Sequence, residues 1–276
     1  MKIIELLESG KRLAKQGVEI SRVDKDAFTK AKAIIKPILD KAKLMSGWTA
    51  GGAGSFDPDH PYGGGGRDDS GDIDIMIDPQ NLLKSFPPDV QGYNTASPKP
   101  LGPKAMANAM ADPAKKSRIE LSASKWALAN YMTSNGLPTD PGTLTVEYTA
   151  DGKSYSVDLI VRPKESWELH SHDFTRDPGM KGGQLFTDVY PTLVKLASKS
   201  TFVDPKTGEE KGSLQYSPDR GLVDRETNQV VAINKNDIAK ILLGPQATAR
   251  DMSSISGIRD ALKNDPAKLS QVFPQS

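Results

Sequence analysis

Apolar residues recur at helical spacing through residues 24–44, where Phe28, Ala31, Ile34, Ile35, Ile38, Leu39 and Ala42 would share a face. Asp24 or Asp26 supplies an N-cap, and Pro37 must kink this helix or mark its first turn. Trp48-Thr49-Ala50 then reads as a short strand. It runs into Gly51-Gly52-Ala53-Gly54-Ser55, where the backbone must turn tightly or approach something closely. At residues 70–78 the period becomes two, so Ile73, Ile75 and Ile77 would enter a core while Asp72, Asp74 and Met76 point the other way. Between these strands lies a loop extending to Gly71 and including Gly63 through Gly66, a composition suited to exposed chain.

Residues 87–104, rich in Pro, Gly, Ser and Asn, are expected to form an exposed loop. A helix should begin at Asp112-Pro113, an N-cap followed by proline at the first helical position, and end near Gly136. A hairpin follows. Leu144, Val146 and Tyr148 alternate with polar residues, Asp151-Gly152 is the two-residue turn, and Tyr155, Val157, Leu159 and Val161 alternate on the return strand with Asp158 on its polar face. From about residue 180 the pattern is helical through Leu185, Phe186, Val189, Leu193 and Leu196, with a kink at Pro191. Hairpin turns are predicted at Pro205–Gly208 and Glu226–Asn228, followed by helices over 235–243 and around Ile255, Ile258 and Leu262.

At 276 residues the chain can bury a large core. The 36 basic and 35 acidic residues nearly cancel, which argues against a strongly basic nucleic-acid protein but leaves room for a local phosphate-binding patch. The charge is unevenly spread. Residues 1–45 carry eleven Lys or Arg against six acids, whereas residues 46–80 hold seven Asp and only Arg67. An acidic pocket after a basic helical arm fits cation binding. With no cysteine, thiolate metal sites and disulfides are excluded and oxygen-liganded metals remain. The N-terminus lacks the apolar core of a signal peptide and no segment approaches transmembrane length, so a cytoplasmic protein without membrane partners is expected.

Three features occur in order: Gly54-Ser55 after a short strand, Asp72-Ile73-Asp74 on the next, and Asp158 on a later strand. This order resembles the DNA polymerase β-like nucleotidyltransferase superfamily, whose signature is a Gly-Ser turn, an Asp-x-Asp strand and a third carboxylate downstream. The resemblance covers roughly residues 24–165. It implies that Asp72, Asp74 and Asp158 bind two Mg²⁺ or Mn²⁺ ions and that Gly54 and Ser55 hold the tail of a nucleoside triphosphate. Independent chemistry agrees: phosphoryl transfer needs neutralisation of both the attacking and leaving oxygens, and carboxylates are suitable ligands for hard cations. Sixteen residues separate Ser55 from Asp72, longer than the family's usual spacing, so Arg67 or Ser70 could take over part of the triphosphate contact.

Other candidates have ordinary readings beside functional ones. Lys181, near a helix start, could reach a triphosphate or simply lie on a helix surface. His170-Ser171-His172-Asp173 could ligate a transition metal, but is expected to be solvent-exposed. Gly63–Gly66 lacks the ending of a Walker motif, and Trp126 and Tyr131 read as core. The expected architecture is α+β: a nucleotidyltransferase palm over residues 1–175, a small mixed sheet with helices on one side, then hairpins and helices over 176–276. The expected reaction moves a nucleoside monophosphate onto a hydroxyl of RNA, protein or a small molecule. The alternative is a non-catalytic nucleotide-binding or interaction module on the same palm. A sugar-nucleotide enzyme would need a parallel-sheet nucleotide domain ahead of Asp72, which residues 1–45 do not offer.

Overall fold

The computed structural model describes residues 20–44, 46–47, 73–97, 99–173, 175–177, 180, 182–198, 202–203, 208, 210–211, 213–217 and 219–274. These residues form a mixed α+β chain with small sheets, divided into two compact units: residues 20–47 with 73–163, and residues 164–274. Among the described residues no helix is long and apolar enough to cross a membrane.

In the first unit, helix α1 (Lys25–Lys41) starts where the Asp24 carboxylate accepts the Ala27 N–H at 2.8 Å. Its buried face is Ala27, Phe28, Ala31, Ile35 and Leu39, and Pro37 lies inside it. Strand β1 (Ser46–Gly47) runs antiparallel to β2 (Ile73–Ile77). Ile73, Ile75 and Ile77 are fully buried, as the two-residue period requires. Met76 is also fully buried, so the face that carries Asp74 is covered at this end instead of being open to solvent.

Four helices follow β2: α2 (Pro79–Ser85), α3 (Val90–Ala96), α4 (Pro103–Ala111) and α5 (Pro113–Ser134). The expected loop over 87–104 is thus corrected, because it contains α3 and the start of α4. Local polar bonds stabilise α3 without any buried residue: the Asp89 carboxylate accepts the Gly92 N–H at 2.9 Å. The Asn94 side chain then clasps Leu101, accepting its N–H at 2.8 Å and donating to its carbonyl at 3.0 Å. Helix α5 begins as the sequence indicates, with the Asp112 carboxylate accepting the N–H groups of Ala114 and Lys115 at 3.0 and 3.2 Å. It ends before Gly136, whose φ of 84° suits the left-handed turn.

Strands β3 (Thr145–Ala150) and β4 (Lys153–Val161) form the predicted hairpin, with Asp151 and Gly152 both at positive φ in the turn. Strand β4 then pairs in parallel with β2, giving the order β1-β2-β4-β3. Parallel neighbours cannot be joined by a tight turn, and the α2–α5 segment supplies the long connection.

The second unit opens with a 3₁₀ segment, Lys164–His170, so residues 164–173 belong to this unit. A short helical turn at Gly182–Gln184 leads through a π segment, Leu185–Val189, into α6 (Tyr190–Ala197). Pro191 lacks an N–H and its ring would press on the carbonyl of Thr187, so the wider π turn just before it accommodates the predicted kink. Two small sheets follow: β5 (Phe202–Val203) with β6 (Glu210–Lys211), and β7 (Leu214–Ser217), β8 (Gly221–Asp224) and β9 (Val230–Ala232) in antiparallel order. Helices α7 (Lys235–Leu243), α8 (Ala249–Met252), α9 (Ile255–Leu262) and α10 (Pro266–Val272) complete the unit. Its core centres on Tyr190, whose ring meets Phe186 at 5.4 Å and Tyr216 at 5.1 Å and whose hydroxyl donates to the Met252 carbonyl.

Candidate functional site

Of the three expected carboxylates, Asp74 and Asp158 are described, and the sheet brings them together. Asp74 lies directly across from Asp158 in the parallel β2–β4 register. Adjacent strands are separated by about 4.8 Å, and residues opposite one another project from the same face. Both carboxylates are half-buried.

Asp158 is held by a residue that the sequence argument did not single out. Thr145, buried on β3, stands opposite Asp158 and its hydroxyl donates to Oδ1 at 2.8 Å. The hairpin contained the signal: with Ala150 paired to Lys153 across the Asp151-Gly152 turn, counting outward along both strands puts Thr145 opposite Asp158. Two residues earlier on the same face of β4, Ser156 is buried, and its hydroxyl has no hydrogen-bond partner among the described residues. The face therefore combines two acids with two hydroxyls, Thr145 and Ser156, over a buried methionine, Met76.

The oxygen donors of Asp74 and Asp158 suit Mg²⁺ or Mn²⁺ and not a thiophilic metal. Among the described residues no group of three or more His, Asp or Glu gathers closely enough to hold a metal. Asp72, the third expected ligand, lies outside the described residues, as do Gly54, Ser55, Arg67, Ser70, Lys181 and the Gly63–Gly66 tract.

The His170–Asp173 segment differs from its expectation of exposure, because Ser171, His172 and Asp173 are all buried. The His172 ring meets Phe186 edge-on at 5.5 Å. The Asp173 carboxylate accepts from Arg250 Nε at 2.8 Å and from the Thr175 N–H and hydroxyl. Burial opposes its ionisation, but these donors prevail and its acid strength is increased. Beside it, Lys235 is fully buried and donates from Nζ to the Ser171 carbonyl at 2.5 Å. Burial pushes this amine down to about 7, with Glu168 pulling weakly the other way. This polar cluster ties α7 and α8 to the segment after the 3₁₀ turn. Trp126 and Tyr131 on α5 are half-buried, the latter donating its hydroxyl to the Ile38 carbonyl at 3.3 Å.

Comparison with protein-family models, with curated proteins and with solved structures finds no match to this chain.

Proposed function

We propose that the chain is a metal-dependent nucleotidyltransferase built on a polymerase β-like palm. The observation that carries this reading is the in-register pair Asp74 and Asp158 on adjacent parallel strands, with Thr145 fixing the second carboxylate. Asp72, two residues before Asp74, is the proposed third ligand. The bound Mg²⁺ or Mn²⁺ pair would neutralise charge on the triphosphate and on the attacking oxygen. In this reading Asp74 and Asp72 hold and orient the cations. Asp158, aimed by Thr145, orients the acceptor hydroxyl and receives its proton. The acceptor oxygen forms a bond to the α-phosphorus as the α–β phosphoanhydride bond breaks, and pyrophosphate leaves. Gly54, Ser55, Arg67, Ser70 and Lys181 are the proposed contacts to the triphosphate tail.

The test is pyrophosphate release from each nucleoside triphosphate with Mg²⁺ or Mn²⁺, in the presence of total RNA, protein or hydroxyl-rich small molecules. Wild type should release pyrophosphate with at least one acceptor, and Asp74→Asn and Asp158→Asn should each lower the rate by 10²-fold or more, on the order expected for lost charge stabilisation. Equal rates for wild type and both variants would refute the assignment. Triphosphate binding that needs metal but gives no turnover on any acceptor would instead favour the non-catalytic nucleotide-binding module.

A further inference from the structure

A cleft of about 640 Å³ opens in the first unit between the end of α1, helix α2 and α5. That volume is within the range of small-molecule sites, roughly 300–1,000 Å³. Its lining residues include Lys41, Lys43, Lys84 and Asn81 with the aromatic residues Phe86 and Tyr131, and among the described residues lining it there is no Asp or Glu. None of these residues lies on β2, β3 or β4, so the cleft is separate from the Asp74–Asp158 face.

Lysines at helix C-termini have an ordinary role, which is to offset the helix dipole, and magnitudes decide whether that role exhausts them. Both α1 and α2 end at the cleft, with Lys41 and Lys84 in their last turns. Each C-terminus presents about half a negative charge, so the two together offset about one of the three ammonium charges. Roughly two positive charges remain for a ligand. A second observation points the same way. Lys43 has φ of 57° just after the end of α1, a left-handed conformation that glycine adopts without strain, yet the position carries a lysine. The aromatic side is also organised: the Phe86 and Tyr131 rings lie 5.4 Å apart at 59°, and the Tyr131 hydroxyl is anchored on the Ile38 carbonyl.

Positive charge beside two aromatic rings and an amide matches one ligand chemistry, a nucleotide. We propose that this cleft binds a nucleotide, with its phosphate held by Lys41, Lys43 and Lys84 and its base against Phe86 and Tyr131. Lysines provide the point charges that phosphate needs, and aromatic side chains provide stacking surface for any base. The nucleotide is either a free mononucleotide or a residue of single-stranded RNA. This assignment does not depend on nucleotidyl transfer, since the two sites share no residue.

The experiment uses the full chain in EDTA, which removes divalent cations and with them any metal-dependent binding at Asp74 and Asp158. Binding of a fluorescein-labelled single-stranded RNA is followed by anisotropy, and binding of nucleoside monophosphates by calorimetry. Neutralising the one phosphate that the three lysines hold gives a log–log salt slope of about −0.7, or about a threefold fall in RNA affinity between 50 and 200 mM salt. In the double variant Lys43→Gly, Lys84→Gln the RNA affinity at 50 mM salt should fall about tenfold or more, because one of the three lysines that hold the phosphate remains. Lys43→Gly relieves the left-handed lysine, so its loss of binding cannot be assigned to unfolding. Phe86→Leu should weaken binding to RNA but not to an abasic oligomer of the same length. Tighter binding of RNA than of monophosphates identifies a strand, and binding of monophosphates alone identifies a free nucleotide. No binding of either, or binding that the lysine variants leave unchanged, overturns the proposal.

Discussion

Replacing Lys235 with methionine should change how the C-terminal unit responds to pH. Lys235 is 1% exposed, and burial pushes its amine from the ordinary 10.5 to about 7. Between those values the unfolded chain carries a proton that the native chain does not, so wild-type stability rises with pH. At 1.36 kcal/mol per pH unit, less the half-titration at the lower end, the rise from pH 7 to pH 9.5 is about 3 kcal/mol. Methionine removes this ionisation and fills a similar volume, but it also removes the donor to the Ser171 carbonyl, a loss of about 1–3 kcal/mol. At pH 7 the relief from burying a charge, about 4 kcal/mol, exceeds that loss and the variant is the more stable protein. At pH 9.5 about 1 kcal/mol of that relief remains against the lost hydrogen bond, so the variant's advantage is about 3 kcal/mol smaller than at pH 7. Urea unfolding read from Trp167, in a background with Trp48 and Trp126 changed to phenylalanine, measures both curves on the relevant unit. Equal pH slopes for Lys235→Met and its parent would refute the reasoning, because the lysine would then keep its proton in the fold.

Three further outcomes follow from local geometry. Gly221→Ala should cost more than about 2 kcal/mol in urea unfolding, because φ is 70° and a Cβ would fall 2.2 Å from the Ala232 carbonyl oxygen. Lys43→Gly should stabilise the first unit by about 1 kcal/mol by relieving a left-handed lysine, and a lower urea midpoint would contradict this. Thr145→Val should destabilise by roughly 1–2 kcal/mol and weaken Mn²⁺ binding, while Thr145→Ser, which keeps the donor to Asp158, should restore both; metal affinity unaffected by valine would remove Thr145 from the site.

Much of the fold was legible wherever a strong local rule acted alone. Asp24 and Asp112 begin their helices, Asp151-Gly152 makes the hairpin, and Gly244, with φ of 121°, follows the last residue of α7. The Asp78-Pro79 pair that starts α2 carried the same signal as Asp112-Pro113. The helix at Val90–Ala96 was hidden for a physical reason. It buries nothing, so it has no apolar period to read, and its bonds run through the Asp89 cap and the Asn94–Leu101 clasp. Met76 was placed on the polar side by alternation, but alternation gives direction and not what lies above the residue.

The candidate site divides in the same way. A strand period aligned Asp74 with one face, and the hairpin assigned Asp158 to a polar face, but only the parallel pairing of β2 with β4 makes them neighbours. That pairing joins residues far apart in sequence and leaves no local trace. The same holds for His172, Asp173 and Lys235. The His170–Asp173 run read as exposed, whereas Arg250 and Thr175 provide the partners that make burial of Asp173 tolerable, as the Ser171 carbonyl does for Lys235.

The central claim, that Asp74 and Asp158 form a cation-binding pair, is tested most directly by Mn²⁺ titration under electron paramagnetic resonance with a non-hydrolysable nucleoside triphosphate present. The account predicts two bound Mn²⁺ ions per chain in the wild type, with at least one lost or much weakened in both Asp74→Asn and Asp158→Asn. The same Mn²⁺ stoichiometry and affinity in all three proteins would contradict it.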